Sequence, residues 1–233
     1  MASLFPPGHG PFLPEFSSLL VQGPYPIACL INLALSFPNR SVIILSSCDK
    51  ENNGNNSLRA SLRGLKLTGK ISAQVDQVQL FYPPTAAHLA LLLSTLQVID
   101  TEKPNTVGVH DTSTSSIYLP HLLKPPGPAL VIIHEPSAYF INATQRPPSS
   151  SSSYLSLLIR AISLVSRSGA SLAVFDTHVN DLEMPVHPNP ISHHMQAIAP
   201  LLANYIELII HFDSSGLSKI WKDLQSIEIP ELG

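Results

Sequence analysis

Charge is what this chain has least of. Asp, Glu, Lys and Arg make up only 12% of its 233 residues, about half the usual globular share, whereas hydrophobic residues make up 44%. A surface built largely from Ser, Asn, Thr, Pro and apolar groups implies that part of it lies against a partner. The 13 basic residues are outnumbered by 16 acidic ones, for a net charge of -3. That balance excludes a general electrostatic grip on nucleic acid and leaves only local basic patches. Two cysteines, Cys29 and Cys48, are too few for a secreted disulfide framework and fit a reducing compartment. The sequons at Asn39, Asn55 and Asn142 are accordingly read as chance matches. No apolar run approaches the roughly 18 to 20 residues that cross a bilayer, and no positively charged stretch precedes an apolar core at the N-terminus. The expectation is a soluble intracellular protein with one sizeable domain.

What is there is an alternation of buried strands and helices. Residues 1–15, with four prolines, read as an irregular leader, and a single domain runs over 16–233. Strands are expected at "SSLLVQ" (17–22), "SVIILSS" (41–47), "DQVQLFY" (76–82), "PALVIIHE" (128–135), "ASLAVFDT" (170–177) and "IELIIHF" (206–212). Most are continuous apolar runs of the kind found in parallel sheets. Ile27 to Phe37 is apolar nearly all round, as in a helix buried within an α/β layer. "PPTAAHLALLLSTLQVID" opens with a Pro-Pro-Thr suited to a helix start. "YLSLLIRAISLVSR" (154–167) sets Leu155, Leu158, Ile159, Ile162 and Val165 on one helical face and Ser156, Arg160, Ser163 and Arg167 on the other. Composition marks mobile loops near 48–57, 141–153 and 178–194, and 105–127 is ambiguous. The whole reads as a mostly parallel sheet covered on both faces, with the site on loops at the strand C-terminal ends.

The loop after the first strand, "VQGPYPIACL", has the frame of a phosphate-binding loop without its ligands. In the pattern G-x-x-x-x-G-K-[ST], backbone N–H groups cradle phosphate, the Lys neutralises charge and the hydroxyl holds magnesium. With Gly23 as the first glycine, Ala28 stands at the second glycine, Cys29 at the Lys and Leu30 at the hydroxyl. Pro24 and Pro26 remove two amides from the cradle. An ordinary Pro/Gly turn is the alternative reading of the same residues. The magnesium-orienting acid normally ends a later apolar strand. Here His134 takes that place and Glu135 follows, so a slip of one residue would make Glu135 the acid.

Taken in order, the first strand, broken loop, apolar helix, "QVQLFYPPTAAHLALLL", "PALVIIHEPSAYF", the amphipathic helix, "SLAVFDT" and a late strand resemble the small RecA-fold, ATPase-like recombinase paralogues. The resemblance is to the SWIM-domain-protein-associated subunit of the Shu-type complex in particular. There an aromatic-Tyr-Pro-Pro-Ser/Thr segment follows a strand and opens a helix, here Phe81, Tyr82, Pro83, Pro84 and Thr85. The resemblance covers most of Ser17 to Ser214. It implies an α/β, three-layer RecA-like P-loop NTPase core with a mostly parallel central sheet and a degenerate phosphate-binding loop. It also implies a nuclear hetero-oligomer with a SWIM-type zinc-finger protein and other recombinase paralogues, one that binds DNA and supports recombinase filaments. Departures at Ala28, Cys29, Leu30 and His134 lead us to expect no cofactor and no turnover.

Other residue groups each admit a plainer role beside a chemical one. Arg59, Arg63, Lys66 and Lys70 fall at steps of four, three and four, which makes one basic stripe on a helix, either a DNA-phosphate contact or a solvated face. Asp176, His178, Asp181, Glu183, His187, His193 and His194 are zinc-type ligands, but their spacing and three interleaved prolines favour a flexible loop. Phe81 and Tyr82 suit core and helix-opening positions better than base stacking. Trp221 falls in "LSKIWKDLQ", expected as an amphipathic helix on its own sheet, with partner docking as the alternative. The leading expectation is a catalytically silent adaptor. A RecA-fold scaffold subunit of an Elongator-type tRNA-modification complex and a weak ATPase using Glu135 are the competing ones.

Overall fold

The computed structural model describes residues 2–6, 10–37, 40–47, 58–67, 71–98, 122–123, 127–141, 150–186, 194–214, 216–222 and 225–227. The chain runs β1 (Ser18–Gln22), α1 (Ile27–Leu35), β2 (Val42–Ser46), α2 (Leu58–Leu67), α3 (Ser72–Val75), β3 (Val78–Phe81), α4 (Ala86–Thr95), β4 (Gln97–Val98), β5 (Leu122–Leu123) and β6 (Leu130–His134). It continues with α5 (Ala138–Ile141), α6 (Ser151–Ser168), β7 (Ser171–Asp176), β8 (Glu183–Pro185), β9 (Met195–Ala197), α7 (Ile198–Leu202), β10 (Leu208–Asp213), β11 (Gly216–Lys222) and β12 (Gln225–Ile227).

Eight strands form the central sheet in the order β12-β11-β10-β1-β7-β6-β2-β3. From β10 to β3 every neighbouring pair is parallel, and β11 and β12 add an antiparallel edge. The period-2 alternation of side chains explains the continuous apolar runs, because both faces are covered. Leu19, Val21, Val42, Ile44, Leu130, Ile132, Ala173 and Phe175 pack under α1 and α2, while Leu20, Ile43, Leu45, Val131, Ile133, Leu172 and Val174 pack under α4, α6 and α7. The expected α/β fold with a mostly parallel sheet is the fold observed. Among the described residues, no helix is long and apolar enough to cross a membrane.

The Pro-Pro-Thr signal does open a helix. The Thr85 hydroxyl caps α4 by accepting the His88 N–H at 3.2 Å, the arrangement that gives Thr its N-cap preference. The leader is irregular but not detached: Leu4 and Leu13 lie in the core, and Ser3 bridges Phe12. The Leu4 carbonyl accepts a hydrogen bond from Asn32 on α1.

Three expectations are corrected. Helix α6 begins at Ser151, inside the stretch read as a loop, and its buried face is Tyr154, Leu157, Leu158, Ala161, Leu164 and Val165. Ile159 is 49% exposed, and Leu155 and Ile162 are half-buried. The face is rotated because Tyr154 is admitted through a hydrogen bond to Asp176 and Ala161 lets the helix sit close to the sheet. Next, 178–194 is not simply a polar loop: Val179, Leu182 and Met184 are buried, and β8 pairs antiparallel with β9. Finally, "LSKIWKDLQ" forms the hairpin β11–β12 rather than a helix. Its pattern fits both periods over so short a window, and an open sheet edge beside β10 decides for strand. Residues 48–57, 142–149 and 187–193, together with most of 105–127 and the three sequons, lie outside the described residues.

Candidate functional site

Helix α1 leaves the end of β1 over one face of the sheet, whereas the chain leaving β6 and β7 passes to the other face. In parallel α/β sheets such diverging exits define the crevice in which ligands bind, which here falls at the carboxyl ends of β1, β7 and β6.

One wall of the crevice is the loop 23–26. Gly23 has φ 87, and a Cβ there would lie 2.0 Å from the Phe212 carbonyl oxygen on β10. The glycine is thus required by a backbone approach as well as by its dihedral. A turn with Tyr25 N–H bonded to the Gly23 carbonyl at 2.8 Å carries the chain to Pro26, which precedes α1 without a side-chain cap. Ala28 is exposed, but Cys29 and Leu30 point into the core at 4% and 0% exposure. Burial pushes the Cys29 thiol up to about 11, so it stays neutral.

Tyr25 lies half-buried at this place. Its ring packs edge-on against Phe175, with centroids 5.1 Å apart, and against His134 at 6.4 Å. Its hydroxyl donates to Glu135 Oε1 at 2.5 Å. Burial first, and then the charge of Glu135, hold the phenol far above its ordinary range, so it remains a donor. Glu135 has φ 54, a left-handed backbone that costs a non-glycine residue about 1–3 kcal/mol and clusters at functional sites. Its carboxylate also accepts the Thr177 hydroxyl at 2.6 Å and the Thr177 N–H at 3.2 Å. His134 turns inward instead, its Nδ1 paired with the Ser46 hydroxyl at 2.8 Å; burial lowers its pKa, opposed by Glu135. The acid at this strand end is therefore Glu135, one residue past the usual position.

Behind Glu135 lies Asp176, fully buried at the end of β7. It accepts hydrogen bonds from the Ser137 N–H at 3.0 Å, the Ser137 hydroxyl at 2.6 Å, the Tyr154 hydroxyl at 2.8 Å and the His178 N–H at 3.1 Å. Burial pushes its pKa up to about 6, Glu135 adds to the rise, and the bonds from Ser137 and Tyr154 oppose it. These strand ends thus carry two carboxyl groups, Asp176 buried behind Glu135, whose oxygens are already supplied with donors from the protein.

The structure gathers Gly23, His134, Glu135 and Asp176 at this one place. Of the zinc-type set, Asp176 is committed to the network above, while His178, Asp181, Glu183 and His194 are exposed. Among the described residues no three such ligands converge; His187 and His193 lie outside them. In the basic stripe, Arg59 and Arg63 are exposed on α2, Lys66 follows on the same helix, and Lys70 lies outside the described residues. Trp221 lies on β11, opposite Ile209 of β10. Tyr25, Ser137, Tyr154 and Thr177 were not singled out from sequence. A usable signal was there: both "HEPS" and "FDT" follow a strand-ending acid with a hydroxyl residue one or two positions on.

No family model matches the chain, and no curated protein matches it. Among solved structures, a crystal structure of the RadB recombinase aligns at 14% identity with a TM-score of 0.46, covering 86% of this chain and 78% of that one.

Proposed function

We propose that this chain is a RecA-type protein that works by contact rather than turnover. In this reading it is a non-catalytic adaptor of homologous-recombination repair. It acts in a nuclear hetero-complex with a SWIM-type zinc-finger protein and other recombinase paralogues, and the complex binds DNA and supports recombinase filaments. The observation that carries the reading is Tyr25, whose ring packs on Phe175 at the strand ends where a ligand would sit and whose hydroxyl is donated to Glu135. Cys29 and Leu30, turned into the core, offer a triphosphate neither a cation nor a magnesium-binding hydroxyl. The strands and the buried helix are still needed to bury apolar surface and present an interface, whereas phosphate ligands are not. The repair assignment rests on the resemblance at Phe81 to Thr85 and on the order of elements; the scarcity of charge supports a partner-covered surface.

Affinity purification of the tagged full chain tests the assignment. Recovery of a zinc-finger protein together with a recombinase is the expected result. Recovery of tRNA-modification subunits and tRNA in their place would overturn it.

A further inference from the structure

The end of the sheet opposite the crevice is concave as well. A groove of about 650 Å³ lies at the amino ends of β1 and β7, between the last turns of α6 and the segment that leads into β10. Ile162 and Val165 of α6 supply apolar lining, and Tyr205 supplies an aromatic ring. Tyr205 is 45% exposed although its backbone is fixed: its N–H bonds the Leu202 carbonyl at 2.9 Å, and its own carbonyl accepts the Ser18 hydroxyl at 3.5 Å.

The polar groups of the groove select for a cation. The Ser17 hydroxyl is committed to Glu207 Oε2 at 2.9 Å and the Ser171 hydroxyl to the Phe16 carbonyl at 3.1 Å. Lys222 is the one cation among the described residues that line the groove. Its Nζ is already directed to Glu207 Oε1 and to the Glu15 carbonyl, each at 3.1 Å. Two carboxylates, Glu15 and Glu207, line the same groove. The Ser17 N–H, first, holds Glu207 below the usual carboxylate range, so it is ionised. Helix α6 also ends here. The N–H groups of Gly169 and Ala170 both go to the Val165 carbonyl, which leaves the Ser166 carbonyl without an intrahelical donor and sets the negative end of the helix dipole at the groove.

An anion would therefore meet two carboxylates and a helix C-terminus. A cation with an apolar stem would find methylene contacts at Ile162 and Val165, a ring at Tyr205 and acceptors for its head. Arginine fits these groups better than lysine, because a guanidinium stacks on tyrosine and forks to carboxylate. The groove is open to solvent and adjoins a second concavity that shares Tyr205 and Glu207 and adds Asn204 and Ile206. Small ligands are normally enclosed over most of their surface, so an open groove of this kind suits a peptide segment instead.

We propose that this groove is the docking site for an arginine carried on a segment of a partner protein, its guanidinium held by Tyr205 and by the carboxylates of Glu15 and Glu207. The proposal rests on the contact role given above and names the chemistry by which a partner is held.

The test is fluorescence anisotropy of the full chain with a labelled octapeptide of alternating alanine and arginine, and with the same peptide carrying lysine or uncharged citrulline in place of arginine. Saturable binding of the arginine peptide is expected, with the lysine peptide weaker and the citrulline peptide weaker by about tenfold or more. Tyr205→Ser should weaken arginine-peptide binding about fivefold, and Glu207→Gln about tenfold. Thermal melting reports whether each variant folds, and exposed Glu15→Gln replaces Glu207→Gln if that one does not. Asp181→Asn, exposed in the loop that leaves the other end of β7, should bind like wild type. The proposal is overturned if the wild-type chain binds no arginine peptide, if citrulline binds equally, if folded Tyr205→Ser binds like wild type, or if Asp181→Asn weakens binding as much as Glu207→Gln. Each of these leaves the adaptor reading to the separate test by co-purifying partners.

Discussion

Replacing Gly23 with alanine should lower the stability of the chain by about 3 kcal/mol or more, since the backbone dihedral alone costs an L-residue about 1–3 kcal/mol. To that is added a clash that cannot be relieved by a rotamer change: the new Cβ would lie 2.0 Å from the Phe212 carbonyl oxygen, a backbone atom within the sheet. Either β10 moves away from the loop, loosening its parallel pairing with β1, or the turn that seats Tyr25 is lost. Gly169 supplies the comparison. It too has positive φ, at 65, as the residue ending α6, but nothing lies within 4 Å of its missing Cβ. Gly169→Ala should therefore cost only about 1 kcal/mol, the left-handed penalty by itself. Urea denaturation of the two variants measures the contrast. Equal losses would show that the close approach at Phe212 contributes nothing.

The second large effect is a dependence of stability on pH. Asp176 has its pKa raised from an ordinary 3.8 to about 6 by burial and by Glu135. A carboxyl whose folded pKa is raised contributes stability that is fully present below 3.8 and is lost as pH rises toward 6. Over that window the loss attributable to Asp176 is about 3 kcal/mol. His134 acts in the opposite sense: its lowered folded pKa removes stability as the medium is acidified through the ordinary histidine range. The net curve mixes the two, so the informative quantity is the difference between wild type and Asp176→Asn. Relative to the variant, the wild type should gain stability on acidification from about pH 6 to pH 4. Thermal unfolding of both proteins across that range measures it, and parallel curves would mean that Asp176 does not titrate there.

Much of this architecture was legible because it rests on local pattern. Runs such as "VIIL" and "LVII" mark strands buried on both faces, and Thr85 marked the start of α4 because its hydroxyl is needed by the first-turn N–H groups. The hairpin β11–β12 was not legible, since Lys219 and Ile220 satisfy a helical and an alternating pattern equally, and the choice depends on β10 lying beside them. The rotation of helix α6 is not legible for a related reason: Tyr154 is buried against Phe140 with its hydroxyl donated to Asp176, twenty-two residues away. The candidate site divides in the same way. Gly23, Cys29, Leu30 and Glu135 were visible as positions in a loop and at a strand end. Tyr25 was not, because its role depends on contacts with Phe175 and Glu135 that only the assembled sheet creates. The glycine itself was recognised for one reason and is required for another: its approach to Phe212 explains it without any phosphate.

The claim on which the functional reading depends is that the strand ends where Tyr25 packs do not take a nucleotide. Titration calorimetry of the full chain with ATP and magnesium tests this most directly. Heat no greater than that of dilution is expected at millimolar nucleotide. Saturable binding, lost when Glu135→Ala removes the crevice acid, would contradict it.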